Sequence, residues 1–431
     1  MTESKAQGLS VGFGKRDITP LLGTPLAGRP MLPPRRARTI RDPLYARALH
    51  IKCGSTQITL LSVDLLLVTQ SLVEAVAGAA GVAREDLAIF ATHTHSGPGG
   101  YWKGSLVEWF MGPFRPATYS LLVQRLAEAV KLAVHKLVPA ELSVASMELA
   151  HMSSNRREAK GLVDPVLTLC RFDLLSGQPI SVVSFGAHPI TGLEREPRTV
   201  TADYPGEACR RIEAGGSRAM FLQGAAAATN PGWIHGPLEK HLQHMGDMFE
   251  EAIGKLEQRL QPLPVSEIAH TRLPLEVEQQ EPLIVPDGMR GGKILELAAR
   301  PLQAALGLMS RQGRAANRHV ALTVIRIGPL VVIGAPCELG PRVSLDIRDL
   351  FARTSTPTVM VASMCDGYVG YVHMVQDYEA RRGTRVLALY ENAMSMAGRD
   401  AGNTIVEVLK AHGEGIGESI SPCIHGRDLQ K

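Results

Sequence analysis

An α/β fold, with mixed β-sheets flanked by helices and a metal site built at strand ends, follows from three features of the sequence. Short runs rich in Val, Ile and Leu recur and stop at Gly or Pro, as buried strands do. Longer segments between them carry apolar residues at helical spacing. Histidines, an asparagine, a glutamate and a tyrosine stand where the apolar runs stop, which is where open α/β sheets bind ligands.

The first forty residues are dense in Gly and Pro, from Gly12 and Gly14 to Pro33 and Pro34, and read as irregular chain wrapped on the surface. Arg35, Arg36 and Arg38 follow as a solvated loop, or as the rim of a site for an acidic group. Ala48 to Cys53 and Gln57 to Val63 flank Gly54-Ser55 and predict a hairpin. Asp64 ends the second strand, from which it reaches a neighbouring site or caps a helix over Ser71 to Ala80. Leu87 to Phe90 is a buried strand leading into Thr92-His93-Thr94-His95-Ser96-Gly97-Pro98-Gly99-Gly100. On extended backbone, residues i and i+2 share a side, which turns His93 and His95 toward one cavity. Tyr101, Trp102, Trp109, Phe110 and Phe114 then offer a wall for an apolar ligand, or core packing. Ala117 to Leu137 has the spacing of a long surface helix.

Strands are predicted past Pro139, at Val166 to Phe172 and at Ile180 to Phe185, the last running into Gly186-Ala187-His188-Pro189. A helix starts near Gly206. The strand Ala219 to Leu222 ends in small residues before Asn230, which permits close backbone approach. The helix Leu238 to Leu260 carries His241 and His244 as solvated histidines, and Gly291 to Leu308 reads as another helix. Ala321 to Ile327 and Leu330 to Ile333 form strands about Gly328-Pro329, the second leading to Cys337-Glu338. Thr358 to Ala362 leads through Cys365-Asp366 to Tyr371. A helix over Ala401 to Ala411 precedes a tail, residues 413–431, without pattern. No internal repeat or linker is visible, so 1–431 parses as one domain.

The net charge of +4, from 46 Lys and Arg against 42 Asp and Glu, is too small and scattered to argue for nucleic acid. No run reaches the length of a membrane span, and Met1 to Gly8 lacks the apolar core of a signal peptide. Six cysteines without a Cys-x-x-Cys pair are read as reduced thiols, which places the protein in the cytoplasm. The expected partner is a small-molecule amide substrate; assembly with copies of itself is left open.

His93/His95, His188, Asn230, Glu338 and Tyr371 each follow an apolar strand and sit beside Gly or Pro. Imidazoles, a carboxylate and a phenol suit Zn²⁺, and a zinc site with an open position brings water to near-neutral acidity. That chemistry hydrolyses an amide or ester without an organic cofactor.

The nine residues from Thr92 to Gly100 resemble the signature of the neutral/alkaline non-lysosomal ceramidases and their bacterial relatives. Asp42-Pro43-Leu44 with Arg47, Asn155-Arg156, Ala187-His188-Pro189, Ala202 to Gly206, Cys337-Glu338 and Gly370-Tyr371 follow in family order, from about Gly12 to Ala411. The resemblance implies a zinc-dependent amidase with His93, His188, Glu338 and Tyr371 as zinc ligands. It implies that His95, Arg156 and Tyr378 contact substrate or stabilise charge.

Two departures shape the expectation. Where the family carries a Gly-Asp-Val-Ser-Pro-Asn type sequence with its catalytic serine, this chain reads Ala227-Ala228-Thr229-Asn230-Pro231. Asparagine is no nucleophile, but it can orient water or donate to an oxyanion. Metal-activated water is therefore favoured over Thr229, which points to the opposite face of its strand. The family's C-terminal immunoglobulin-like domain is also expected to have no counterpart. These features favour hydrolysis of an amide smaller than ceramide. The alternatives are a lipid amidase with a groove at Trp102, Trp109 and Phe110, and a non-catalytic relative that keeps the metal. Cys337 and Cys365 are expected to pack as small apolar residues. Asp64 and Asp203 stand as general-base or ligand-orienting alternatives.

Overall fold

The computed structural model describes residues 8–29, 33–104, 107–149, 151–158, 160–232, 236–276, 320–353, 358–379 and 386–417. The helix expected at Gly291 to Leu308 and the chain from residue 418 onward lie outside them. The α/β class and the mixed sheets are as expected.

The large sheet contains β1 (Ser10–Asp17), β2 (Tyr45–Cys53), β3 (Thr56–Val63), β4 (Leu87–Ala91), β5 (Val138–Glu148), β6 (Val166–Leu174), β7 (Ile180–Phe185) and β8 (Arg218–Gln223). Their spatial order is β8-β7-β6-β5-β1-β2-β3-β4, with the short strand Gln261–Leu263 added on β5. A second sheet holds β9 (Ile268–Pro274), β10 (Ala321–Ile327), β11 (Leu330–Gly334) and β12 (Thr358–Ala362) in that order.

The pairing reveals a repeat. In β1 to β4 the first three strands are antiparallel neighbours and the fourth joins the third in parallel. The same pattern holds for β5 to β8 and for β9 to β12. Between third and fourth strands the chain crosses over through α1 (Gln70–Ala80), α2 (Asp203–Ala214) or α3 (Pro341–Ala352), as a parallel connection requires. The expectation of no internal repeat thus fails at the level of topology. The three units share strand directions and crossovers rather than residues, so nothing periodic surfaces in the sequence.

The N-terminal segment is the largest correction. Expected as irregular surface chain, it contains β1, which pairs β2 on one side and β5 on the other. Its Gly12 and Gly14 are there for clearance, not for turning. The helix Pro116–His135 lies against β1, and a Cβ on Gly12 would stand 2.0 Å from the Ala133 carbonyl oxygen. Gly12→Ala is therefore expected to lower unfolding free energy by about 1–3 kcal/mol, read as a lower denaturant midpoint at unchanged slope.

Smaller differences follow from local chemistry. Thr69, not Asp64, caps α1, accepting from Leu72 N at 3.2 Å. α2 begins at Asp203, three residues before Gly206, with Asp203 at φ 57°. His241 is buried rather than solvated, whereas His244 is exposed.

Residues between the two sheets form a shared core that includes Phe90, Ile325 and Met360. The strand ends are stitched across that core: Ala91 N donates to Met364 O at 3.1 Å, Asp366 N to Ile89 O at 2.9 Å, and Ser363 N to Gln223 O at 2.7 Å. The exits of β4, β8 and β12 therefore open onto one edge.

Candidate metal centre

His93 and His95 leave β4, His188 leaves β7, Glu338 follows β11 and Tyr371 follows β12. Glu338 and Tyr371 are register partners in two short parallel strands, Glu338–Leu339 and Tyr371–Val372. The two histidines of the first segment face one space, though not by strand alternation. His93 adopts φ 66°, a left-handed turn that costs energy for a non-glycine residue. Thr92 N on Val63 O (2.9 Å) and His95 N on Pro189 O (3.2 Å) hold that turn in place.

The structure brings the expected ligands together. The rings of His93 and His95 are 4.8 Å apart, those of His93 and His188 4.9 Å, and those of His95 and His188 5.6 Å. Glu338 Oε2 lies 2.9 Å from His188 Nε2 and 3.2 Å from His93 Nε2. Tyr371 Oη lies 3.4 Å from His188 Nε2. All five side chains are buried.

Tautomers decide what this cluster can hold. Nδ1 of His93 meets Leu66 O at 2.7 Å, Nδ1 of His188 meets Ala226 O at 2.6 Å, and Nδ1 of His95 meets Gly28 O at 3.2 Å. A carbonyl only accepts, so each Nδ1 carries the proton and each Nε2 turns a lone pair inward. The Nε2 atoms of His95 and His93 are 3.3 Å apart. Glu338 Oε2 is buried and has no hydrogen-bond donor among the described residues. Several acceptors thus face one another at contact distance, an arrangement that repels itself until a cation sits among them. His93, His95 and His188 could bind a metal ion.

The electrostatics agree. Burial, then the neighbouring Arg156, holds His188 down to about 4, so it stays neutral. Burial, then His93 and His188, pushes His95 well below its usual range. Tyr368 donates to Glu338 Oε1 at 2.7 Å and orients the carboxylate from behind.

Arg156 joins the cluster: its Nη2 is 3.2 Å from both Tyr371 Oη and His188 Nε2. It is held there by a residue the sequence did not reveal. Glu391, fully buried on the helix Val386–Ala393, accepts from Arg156 Nε at 2.6 Å, Arg157 Nη1 at 3.0 Å and Ala228 N at 3.1 Å, and meets His373 Nε2 at 3.0 Å. Nothing marks a carboxylate inside a helical pattern as an arginine's counter-ion. Arg35 was misread for a similar reason. Expected in a solvated loop, it is 1% exposed and donates to His95 O at 2.8 Å and to Pro197 O at 2.8 Å.

The other expected site residues are placed as follows. Asn230 lies in the short strand Thr229–Pro231, its Oδ1 3.5 Å from Arg156 Nη1. Tyr378 is drawn into the wall behind Tyr371: its hydroxyl meets Ser395 Oγ at 2.6 Å, and Ser395 donates to Tyr371 O at 2.6 Å. Asp64 accepts from Tyr45 N and Arg47, and Asp203 from Gly192 N and Tyr204 N, so both brace backbone at the site's edge. Cys337 and Cys365 are buried free thiols whose ionisation burial suppresses. Thr229 spends its hydroxyl on Ala227 O at 3.1 Å.

Two hollows meet at the cluster. The first, about 40 Å³, is walled by Leu66, Trp102, Phe110, Met111, Met394 and Met396 and reaches His93, His95 and Glu338. The second, about 430 Å³, is walled by Arg29, Glu194, Ile190, Leu193, Arg156 and Asn230. Gly28, His95, Tyr371 and Tyr390 border both. Trp102 and Phe110 of the aromatic patch line the first; Trp109 is 39% exposed and packs edge-on to Phe110. Tyr390, its ring 6.0 Å from that of Tyr371, escaped the sequence reading because it precedes no breaker.

Residues 9–229, just over half of the chain, match the family described as neutral/alkaline non-lysosomal ceramidase, N-terminal. A neutral ceramidase of Mycobacterium tuberculosis is 32% identical over 169 residues, covering 35% of this chain and 26% of that protein. A neutral ceramidase of Pseudomonas aeruginosa is 22% identical over 369 residues, covering 68% of this chain and 54% of that protein. The matches thus span about half or less of these curated relatives. The crystal structure of neutral ceramidase from Pseudomonas aeruginosa superposes on 97% of this chain and 77% of its own, with a TM-score of 0.74 at 20% identity, which establishes a common fold. Among the described residues no helix is long and apolar enough to cross a membrane.

Proposed function

The chain belongs to the neutral/alkaline non-lysosomal ceramidase family, as a divergent bacterial-type member, and from that premise we propose that it is a zinc-dependent hydrolase of a non-peptide amide bond. The observation that carries the reading is the inward lone pairs of His93 and His188 against the donor-less Glu338 Oε2. With Tyr371 they make a nitrogen and oxygen set suited to Zn²⁺. When bound, the ion supplies Lewis-acid polarisation of the amide carbonyl and a water of near-neutral acidity.

The chain's own groups do the rest. Arg156 stays charged, because Glu391 outweighs the burial that would lower it, and its Nη2 faces the cluster, where it donates to charge developing on the carbonyl oxygen. His95 borders both hollows and positions the amide between them. Asn230 donates or accepts at the leaving nitrogen. Water oxygen joins the carbonyl carbon, the C–N bond breaks, and the nitrogen leaves as an amine after taking a proton from that water. Thr229 is engaged elsewhere, so no side-chain nucleophile is needed.

Zinc analysis of the purified protein, followed by assay of the zinc-loaded form on N-acyl amides, tests this. One zinc per chain with chelator-sensitive amide cleavage is expected. Cleavage that survives complete metal removal would refute it.

A further inference from the structure

Building on the amidase reading, we propose that the two hollows divide the substrate: the apolar one takes the acyl half, and the polar one takes a short amine half that carries a carboxylate. The substrate class is then an N-acyl amino acid, in place of the amide of a long-chain base.

The division rests on what lines each hollow. Apart from the shared cluster, the first presents aliphatic, aromatic and methionine side chains, most of them buried. Such a wall accepts an alkyl chain and offers nothing to an ion, and Met394 and Met396 adapt to its length. Trp102 is 6% exposed and stands edge-on to Tyr368, with ring centroids 6.4 Å apart. It closes the hollow on the side of the glutamate-bound tyrosine and sets how much chain fits.

The second hollow differs in charge. Arg29 pairs with Glu194 across its mouth. On its inner wall stands Arg156, held from behind by the buried carboxylate of Glu391. Among the charged side chains that line it, Arg29 and Arg156 outnumber the one carboxylate, Glu194, and the excess positive charge faces the hollow through Arg156. An anionic amine half is favoured there, a long alkyl base is not, and a cationic amine half would be repelled. Arg29 is half-exposed, with 49% of its side chain accessible, so its guanidinium reaches an incoming carboxylate without uncovering a buried charge.

The test uses the full chain loaded with zinc. N-acylglycines of graded acyl length are compared with the matching N-acylethanolamines and an N-acylated long-chain base, in wild type, Trp102→Ala and Arg29→Gln. Binding of straight-chain carboxylic acids is measured separately by calorimetry. N-acylglycines are expected to exceed the ethanolamides in kcat/KM by about tenfold, the scale of one charge-assisted hydrogen bond. Arg29→Gln should erase that preference through KM. Trp102→Ala should move the acyl optimum to longer chains, in cleavage and in acid binding, with the amine preference intact. Best activity on the long-chain base, or an acyl optimum indifferent to Trp102, would overturn the division. If no amide is cleaved yet acid binding still answers to Trp102→Ala, the amidase reading fails and the acyl hollow stands.

Discussion

Glu338→Gln is expected to abolish zinc-induced stabilisation while leaving the metal-free protein as stable as wild type, or more so. In wild type without metal, Glu338 Oε2 presses on the lone pairs of His93 and His188 at 3.2 and 2.9 Å. Glutamine keeps the Oε1 acceptor for Tyr368 and turns an amide N–H toward those imidazoles, which relieves the repulsion. Zinc at a thousandfold above its Kd stabilises a native site by about 4 kcal/mol, and the variant should lose most of that. Thermal unfolding with and without zinc separates the two effects, and amide cleavage should vanish with the zinc response. A variant that keeps both its metal and its activity would remove Glu338 from the ligand set.

Glu391→Ala should be the most damaging single change outside the cluster. Its buried carboxylate is shared by Arg156 and Arg157, and removing one partner of such a network costs about 3–5 kcal/mol. Losing the anchor of Arg156 also misplaces a donor whose absence costs about 10²–10³ in kcat. Glu391→Gln keeps acceptors for Arg156 Nε and Ala228 N and should be milder. The pH dependence gives a sharper reading. Burial alone would raise Glu391, but Arg156 and then His373 depress it well below 4.5. Its contribution is therefore fully present above the unfolded value of 4.5 and is lost as pH falls toward the depressed folded one. The stability gap between wild type and Glu391→Gln should stay level from neutral pH to about 5 and close below it. A gap that instead widens in acid would show that Glu391 is not the arginines' counter-ion.

Residues announced by chain grammar were legible from the sequence. A histidine, glutamate or tyrosine directly after an apolar run and beside Gly or Pro has to emerge at a sheet edge, and His93, His95, His188, Glu338 and Tyr371 do so within one space. Residues whose role comes from three-dimensional neighbours were not legible. Glu391 and Tyr390 sit inside an unremarkable helix. Arg35 follows two prolines and looks solvated, although three backbone carbonyls surround its guanidinium. Gly12 and Gly14 carried the signal of breakers but answer to a helix more than a hundred residues downstream. The alternation argument for His93 reached the right cavity through the wrong backbone conformation, because a turn at φ 66° and a strand both bring two side chains together.

The threefold strand pattern has a consequence for how the molecule matures. His93 comes from the first quartet, His188 from the second, and Glu338 with Tyr371 from the third, so no quartet alone assembles more than two adjoining donors. The full donor set exists only once all three have docked, and a chain arrested with the third quartet adrift would keep at most the three histidines. Full affinity for the proposed ion is therefore expected only of the completed fold.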